Sequence, residues 1–354
     1  MAQFEVHGYA AQDSSGHLAP HTFTRRKAGP NDVVFKITHC GICHSDLHQI
    51  RDEWGGSIFP MVPGHELVGI VTEVGKDVTK FKVGDHVGVG CMVSSCGQCD
   101  ACDKDVEQYC TKAVWTYNSL DEEKQPTYGG YSTFMVAKEK FVLRIPESLP
   151  LDGAAPLLCA GVTTYSPMRY FGMTEKGKRF GVVGLGGLGH MAVKFGKAFG
   201  LEVTIISTSP RKKTEAIDVL GAERFLVSSD KEAMKAAAKS LDYILDTVSA
   251  AHELDPLLNL LNVNGKLVLV GIPERPFQLP PGQVIFGRRL VGGSLIGGLK
   301  ETQEMLDFCA EKNITSTIET ISIDDVNKAL ERLAKSDVKY RFVIDMESLH
   351  RSSL

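Results

Sequence analysis

No stretch of this sequence runs about 18 apolar residues without interruption, so nothing in it reads as a membrane-spanning helix. The first twenty residues lack a basic region followed by an apolar core, so no secretory signal is visible and the expected location is the cytoplasm. A surplus of one charge is also missing. With 39 Lys and Arg against 43 Asp and Glu, the net charge of −4 gives no drive toward nucleic acid or an anionic membrane surface. No internal repeat or low-complexity segment interrupts the chain.

What is present is an ordinary globular composition on a long chain. At 354 residues it exceeds the usual single-domain size and is expected to form two domains with separate cores. The nine cysteines are unevenly spread: Cys96, Cys99, Cys102 and Cys110 lie within fifteen residues, and Cys40, Cys43, Cys91, Cys159 and Cys309 are scattered. A tight group plus singletons in a reducing compartment reads as metal chemistry and not as a disulfide framework.

The first part of the chain, to about residue 150, reads as strands and turns. Asp32–Thr38, Leu67–Val74, His86–Val89 and Phe134–Ala137 are β-branched or apolar, with Gly and Pro between them. From about residue 178 the texture changes to short buried-type strands: Arg179–Val183, Glu202–Ile206, Arg224–Val227, Tyr243–Thr247 and Lys266–Val270. Helical segments at His190–Phe199, Lys212–Leu220 and Lys231–Ser240 separate most of them. This alternation predicts an α/β doubly wound parallel sheet. Ser209 is the expected cap of the second helix, Pro210 fits its first turn and Gly221 its stop. Two amphipathic helices, Thr302–Glu311 and Asp324–Lys335, and a strand, Arg341–Asp345, then return to the first domain.

Gly184-Leu185-Gly186-Gly187-Leu188-Gly189 follows the apolar strand Phe180–Val183 and opens a helix. In that setting the glycines permit a tight turn and let backbone amides approach a pyrophosphate at a helix N-terminus. An NAD site places an acid at the end of the next strand for the ribose 2′-OH. Here that strand ends Ser207-Thr208-Ser209 and continues into Arg211, Lys212 and Lys213. Cations at a helix start oppose the macrodipole unless an anion sits among them. A 2′-phosphate fits, and the expected cofactor is NADP(H).

Cys96, Cys99, Cys102 and Cys110 offer four thiolates, which close a tetrahedral shell as in a structural zinc site. An iron–sulfur cluster shares such spacing, but nothing nearby suggests electron transfer. A second set comes from three separated places: Cys43 in Cys-His-Ser-Asp, His65 in Gly-His-Glu, and Cys159 in Leu-Cys-Ala-Gly. Two thiolates and one imidazole leave an open position, the mark of a Lewis-acidic catalytic zinc. Two zinc ions per chain are therefore expected.

The stretch Gly64-His65-Glu66 with Gly69, Gly75 and Val78 resembles the signature of zinc-dependent medium-chain dehydrogenases. Met61–Glu66, Ala155–Gly161 and Lys339–Val343 are similar to the plant cinnamyl alcohol dehydrogenase family, which includes hydroxygeraniol and mannitol dehydrogenase-like members. The resemblance implies a homodimer with a mainly-β GroES-like catalytic domain, at 1–159 and 298–354, around a Rossmann domain at 160–297. It implies Cys43, His65 and Cys159 as zinc ligands, Glu66 as a carboxylate able to exchange with the water on the metal, and Asp46 as the acid orienting the ligating histidine. Ser207, Thr208 and Lys212 match 2′-phosphate contacts, and Ser45 with His48 matches a proton relay.

By the same resemblance Gln49, Trp54, Cys91, Trp115, Ile272, Ile285, Phe286, Leu295 and Ile296 line an apolar, partly aromatic pocket. Trp54 stands in place of an aliphatic residue of the lignin-forming members, and Leu295 in place of an aromatic one. The substrate expected is a small allylic or aromatic alcohol–aldehyde pair, such as a monoterpenol or a cinnamyl type. Two competitors share the scaffold. A reductase of an iminium or conjugated double bond need not keep the relay, and a non-catalytic zinc-stabilised protein need not keep an open metal site. Cys43, Ser45, His48, His65, Glu66 and Cys159 are all present, which favours carbonyl chemistry.

Overall fold

The computed structural model describes residues 3–273 and 275–351. It divides into two compact units, Met1–Cys159 with Gly298–Leu354, and Ala160–Gly297.

The first unit is built on the strand Asp32–Ile42, whose residues are buried along nearly all its length. β-Branched and aromatic side chains on both faces suit a strand with neighbours on either side. It pairs antiparallel with Leu67–Val74, with Phe134–Lys138 and with Arg341–Asp345. Ile318–Ser322 then adds parallel to Arg341–Asp345, and His86–Val89 and Leu143–Arg144 extend the other side. The tail of the chain thus completes the sheet begun near its start. Phe35, Ile37, Ile42, Leu67, Phe342 and Ile344 are almost fully buried in its core, each contributing about 1.5–3 kcal/mol by leaving water. A hairpin of Gln3–Ala11 and Leu18–Arg26 stands beside this sheet.

The second unit is a six-stranded parallel sheet in the order Arg224–Val227, Glu202–Ser207, Arg179–Val183, Leu241–Asp246, Leu261–Leu269, Leu290–Gly293. Strand order reverses between Arg179–Val183 and Leu241–Asp246. That reversal opens the crevice where parallel sheets bind ligands, at the carboxyl ends of the strands. The helix Gly187–Ala198 buries Met191, Ala192 and Phe195.

Two expectations for this unit are corrected. The predicted helix Lys212–Leu220 is a 3₁₀ turn, Pro210–Lys212, followed by a π-helical turn, Glu215–Val219. The widened turn is closed by Leu220 N–H donating to the Glu215 carbonyl at 3.0 Å. The Ser209 hydroxyl makes no cap bond; the Ser207 hydroxyl accepts from the Ser209 amide instead, at 3.3 Å. The helix Lys231–Ala236 also stops short of Ser240, because Lys239 takes a left-handed conformation and bonds the Asn259 carbonyl.

Candidate metal centre and nucleotide site

Cys43 follows the central strand and caps the short helix His44–Ile50. One acid, Asp46, holds this corner. It is fully buried, and its Oδ2 accepts from the Cys43 amide at 2.8 Å and from the Tyr131 hydroxyl at 3.3 Å. Its Oδ1 accepts from the Gly64 amide at 3.2 Å and faces His65 Nδ1 at 3.1 Å. Such a partner fixes the imidazole so that Nε2 is the nitrogen available to a metal. Tyr117 stacks on the His65 ring at 5.8 Å.

Ligand atoms of Cys43, His65, Glu66 and Cys159 all lie within 4.8 Å of one another, and all four residues are buried. Cys159 enters the group from the far end of the unit, after the turn Ala155–Leu158. A hydrogen bond with Cys159 outweighs burial and holds the Cys43 thiol well below its usual range, with Arg341 and His65 assisting. Burial lifts the Glu66 carboxyl to about 8, against the opposing pull of Arg341. Both Glu66 oxygens are buried without a hydrogen bond. Gly41 makes room for this carboxylate: a Cβ there would sit 1.9 Å from Glu66 Oε2. Two thiols and an imidazole suit a zinc ion with a fourth position left for substrate, and the Glu66 carboxyl lies within reach of that position. The ligand atoms of Cys96, Cys99, Cys102 and Cys110 also lie within 4.8 Å of one another, an all-sulfur set with no such vacancy.

Ser45 and His48 share the helix with Cys43. Ser45 Oγ is 3.7 Å from Cys43 Sγ. His48 Nδ1 is hydrogen-bonded to the Glu53 carboxylate, and its ring stacks on Trp54 at 4.9 Å and 30°. Gln49 accepts from the Asn118 side chain. Cys91 hydrogen-bonds Cys159, and its carbonyl accepts from the Thr116 amide at 3.0 Å, next to Trp115. These residues belong to one unit. Leu295 and Ile296 belong to the other, where Leu295 is exposed and Ile296 has a φ of 39°.

Sequence reasoning did not single out Arg341 as part of the centre. Its Nη2 is 3.2 Å from Glu66 Oε1, and both side chains are buried. The available signal was a lone cation opening the strand ahead of the apolar Phe342–Ile344.

In the second unit, Gly184 adopts φ +87° and its amide donates to the Ile206 carbonyl at 2.9 Å, joining the turn to the neighbouring strand. A Cβ on Gly189 would meet the Gly184 carbonyl at 2.2 Å, so the strand-to-helix crossing closes only around glycine. Leu185, Gly186, Gly187 and Leu188 complete the turn and the start of the helix. Ser207 is buried at the end of the adjacent strand and Thr208 is exposed. Lys212 bends back so that Nζ donates to the Leu185 carbonyl at 2.7 Å; burial lowers its pKa. The basic turn and the glycine-rich turn are thereby tied together.

Comparison with known proteins agrees with this geometry. Residues 29–147 match the family described as the alcohol dehydrogenase GroES-like domain, and residues 187–311 the zinc-binding dehydrogenase family. The chain is 60% identical over 353 residues to a probable mannitol dehydrogenase of Stylosanthes humilis, covering 100% of this chain and 99% of that protein. It is 61% identical over 346 residues to the 8-hydroxygeraniol dehydrogenase of Catharanthus roseus, covering 98% and 96%. Among solved structures it resembles a cinnamyl alcohol dehydrogenase of Sorghum bicolor, with a TM-score of 0.95, 55% identity and coverage of 97% and 98%. The corresponding values for the Helicobacter pylori enzyme complexed with NADP(H) are 0.91, 43%, 98% and 99%. With two thiols, an imidazole and a carboxylate gathered beneath a GroES-like sheet and a glycine-rich turn on a parallel one, the chain belongs to the zinc-type medium-chain alcohol dehydrogenases of the cinnamyl alcohol dehydrogenase family.

Proposed function

We propose that this alcohol dehydrogenase moves a hydride between NADP(H) and a small allylic or aromatic primary alcohol–aldehyde pair, of monoterpenol or cinnamyl type. The observation that carries the reading is the buried Cys43, His65, Glu66 and Cys159 group with Ser45 beside it. Cys43, His65 and Cys159 would hold the catalytic zinc, and Cys96, Cys99, Cys102 and Cys110 the structural one. Zinc supplies the Lewis acidity that makes an alcohol proton acidic near neutrality, and nicotinamide supplies the hydride acceptor.

The chain's own residues do the rest. Asp46 fixes His65, and Glu66 stands by as a carboxylate able to take or leave the metal. Ser45 accepts the alcohol proton, and His48 passes it outward from a ring whose Nδ1 is already engaged by Glu53. Gly184–Gly189 offers its amides to the pyrophosphate, while Ser207, Thr208 and Lys212 take the 2′-phosphate, for which the absence of an acid after Ile206 leaves space. Gln49, Trp54, Cys91 and Trp115 are uncharged, which supports an apolar substrate over a sugar or an acid.

A homodimer is supported by the edge strand Leu290–Gly293 and by Phe286, 91% exposed, close to it in sequence. No helix among the described residues is long and apolar enough to cross a membrane, and the free cysteines suit a reducing cytoplasm.

The test is loss of NADPH absorbance with cinnamaldehyde, citral and an iminium compound in parallel. Turnover of the two aldehydes is expected. Turnover of the iminium compound alone would move the assignment to the alternative reductase.

A further inference from the structure

The strand Leu241–Asp246 ends on an acid that the reaction does not use. Asp246 is 1% exposed and lies between Val183, which leads into the glycine-rich turn, and Leu269. Its Oδ1 accepts from the Val248 amide at 3.1 Å, and its Oδ2 is 2.6 Å from His252 Nε2. The other ring nitrogen, His252 Nδ1, is 2.9 Å from the Ala250 carbonyl. A carboxylate and a carbonyl are both acceptors, so this geometry asks for hydrogen on both ring nitrogens at once. Only the imidazolium provides that; a neutral ring must give up one of the two bonds.

What Asp246 holds is the wall of the nucleotide turn. A Cβ placed on Gly184 would lie 2.8 Å from Val248 Cγ2 and 3.1 Å from Thr247 Oγ1. Thr247 also donates to the Val183 carbonyl, through its amide at 3.1 Å and its hydroxyl at 2.8 Å. Residues 247 and 248 are therefore packed against the turn that Gly184 begins, with the Asp246 carboxylate fixing the Val248 amide from behind.

We propose that His252, acting through Asp246 and the Val248 amide, is a positioning residue for the glycine-rich turn, so that NADP(H) affinity falls as pH rises and the imidazolium is lost. This role rests on the cofactor reading given above. Among the described residues the charged group paired with His252 is Asp246. From the loop after Leu261–Leu269 the ring meets Phe277, an uncharged edge at 5.2 Å. The hydrogen bond to Asp246 raises the His252 pKa, burial opposing it. The sign follows: the brace is complete below the ordinary imidazole range and is lost as pH rises through the raised folded value.

The test is NADPH binding to the zinc-loaded enzyme from about pH 6 to about pH 9, which brackets the imidazole range, for wild type and His252→Gln. Wild type is expected to bind about tenfold tighter than the variant at the acid end, the effect of about one charge-assisted hydrogen bond, and the two should converge at the alkaline end. Titration of the 2′-phosphate affects both proteins alike and cancels in the ratio. In turnover the change should fall on KM for NADPH more than on kcat. A ratio that stays constant with pH would overturn the role. Should the variant fold poorly, amide exchange in wild type decides: protection of Val248 must fall as His252 loses its proton, and constant protection refutes the brace. A wild type that binds no NADPH at any pH would overturn the cofactor reading, and this role with it.

Discussion

Arg341 Nη2 and Glu66 Oε1 meet at 3.2 Å with both side chains almost wholly excluded from solvent. The pair joins the strand Arg341–Asp345, near the end of the chain, to the Gly-His-Glu segment just before the strand Leu67–Val74. Arg341 also donates to the Ile42 carbonyl at 3.3 Å, one residue before Cys43. A single guanidinium thus faces the Glu66 carboxyl and the low-pKa Cys43 thiol in a dry corner.

Removing that cation should leave Glu66 as an uncompensated buried acid. Arg341→Met is expected to cost up to about 3–5 kcal/mol in denaturant unfolding above about pH 8, where Glu66 is ionised, and less at neutral pH, where it holds its proton. Glu66→Gln in the same chain should restore much of it. If the single and double variants unfold alike, the pair is not what stabilises this corner.

Metal analysis should find two zinc ions per chain, one for each set of converging ligands. Cys43→Ala should abolish turnover and leave one zinc, since three protein ligands are the usual minimum for a catalytic site. Cys102→Ala should act mainly on folded yield, because an all-thiolate zinc contributes directly to folding. A fully active enzyme holding one zinc would sink the catalytic assignment.

The two ligand sets differ in how well the sequence displays them. Four cysteines in fifteen residues announce a site locally. Cys43, His65 and Cys159 are read as a set only through their joint occurrence and the family resemblance, because the antiparallel sheet brings them together across long separations. Arg341 was not legible as a partner: one cation at the start of a mostly apolar strand has no local signature of what it faces. The parallel strands were readable because burial on both faces makes each a continuous apolar run. The π-turn at Glu215–Val219 was not, since local propensity does not separate it from an α-helix.

On the proposed reading, cofactor choice follows from the strand end at Ser207. Ser207→Asp would place a carboxylate at the end of that strand, where a 2′-phosphate is expected. Preference should move from NADPH toward NADH, read as the ratio of kcat/KM for the two cofactors. A wild type that uses NADH as efficiently as NADPH would refute the 2′-phosphate assignment.

The proposed proton relay offers the sharpest test of carbonyl chemistry. Ser45 lies beside the Cys43 thiol, and His48 follows one helical turn later with Nδ1 bonded to Glu53 and its face on Trp54. Those contacts leave Nε2 as the ring nitrogen free to receive a proton. Ser45→Ala should therefore slow both alcohol oxidation and aldehyde reduction by about 10²–10⁴-fold, the usual range for a general acid–base group. The loss should appear in kcat, with NADPH affinity nearly intact, because neither metal ligands nor nucleotide contacts change. His48→Ala should lose less, since water can stand in for the outer member of the relay. An iminium ion needs no proton from the Ser45 position, so its reduction should be almost untouched in either variant. Aldehyde reduction at the wild-type rate in Ser45→Ala would remove the relay from this enzyme and strengthen the alternative reductase.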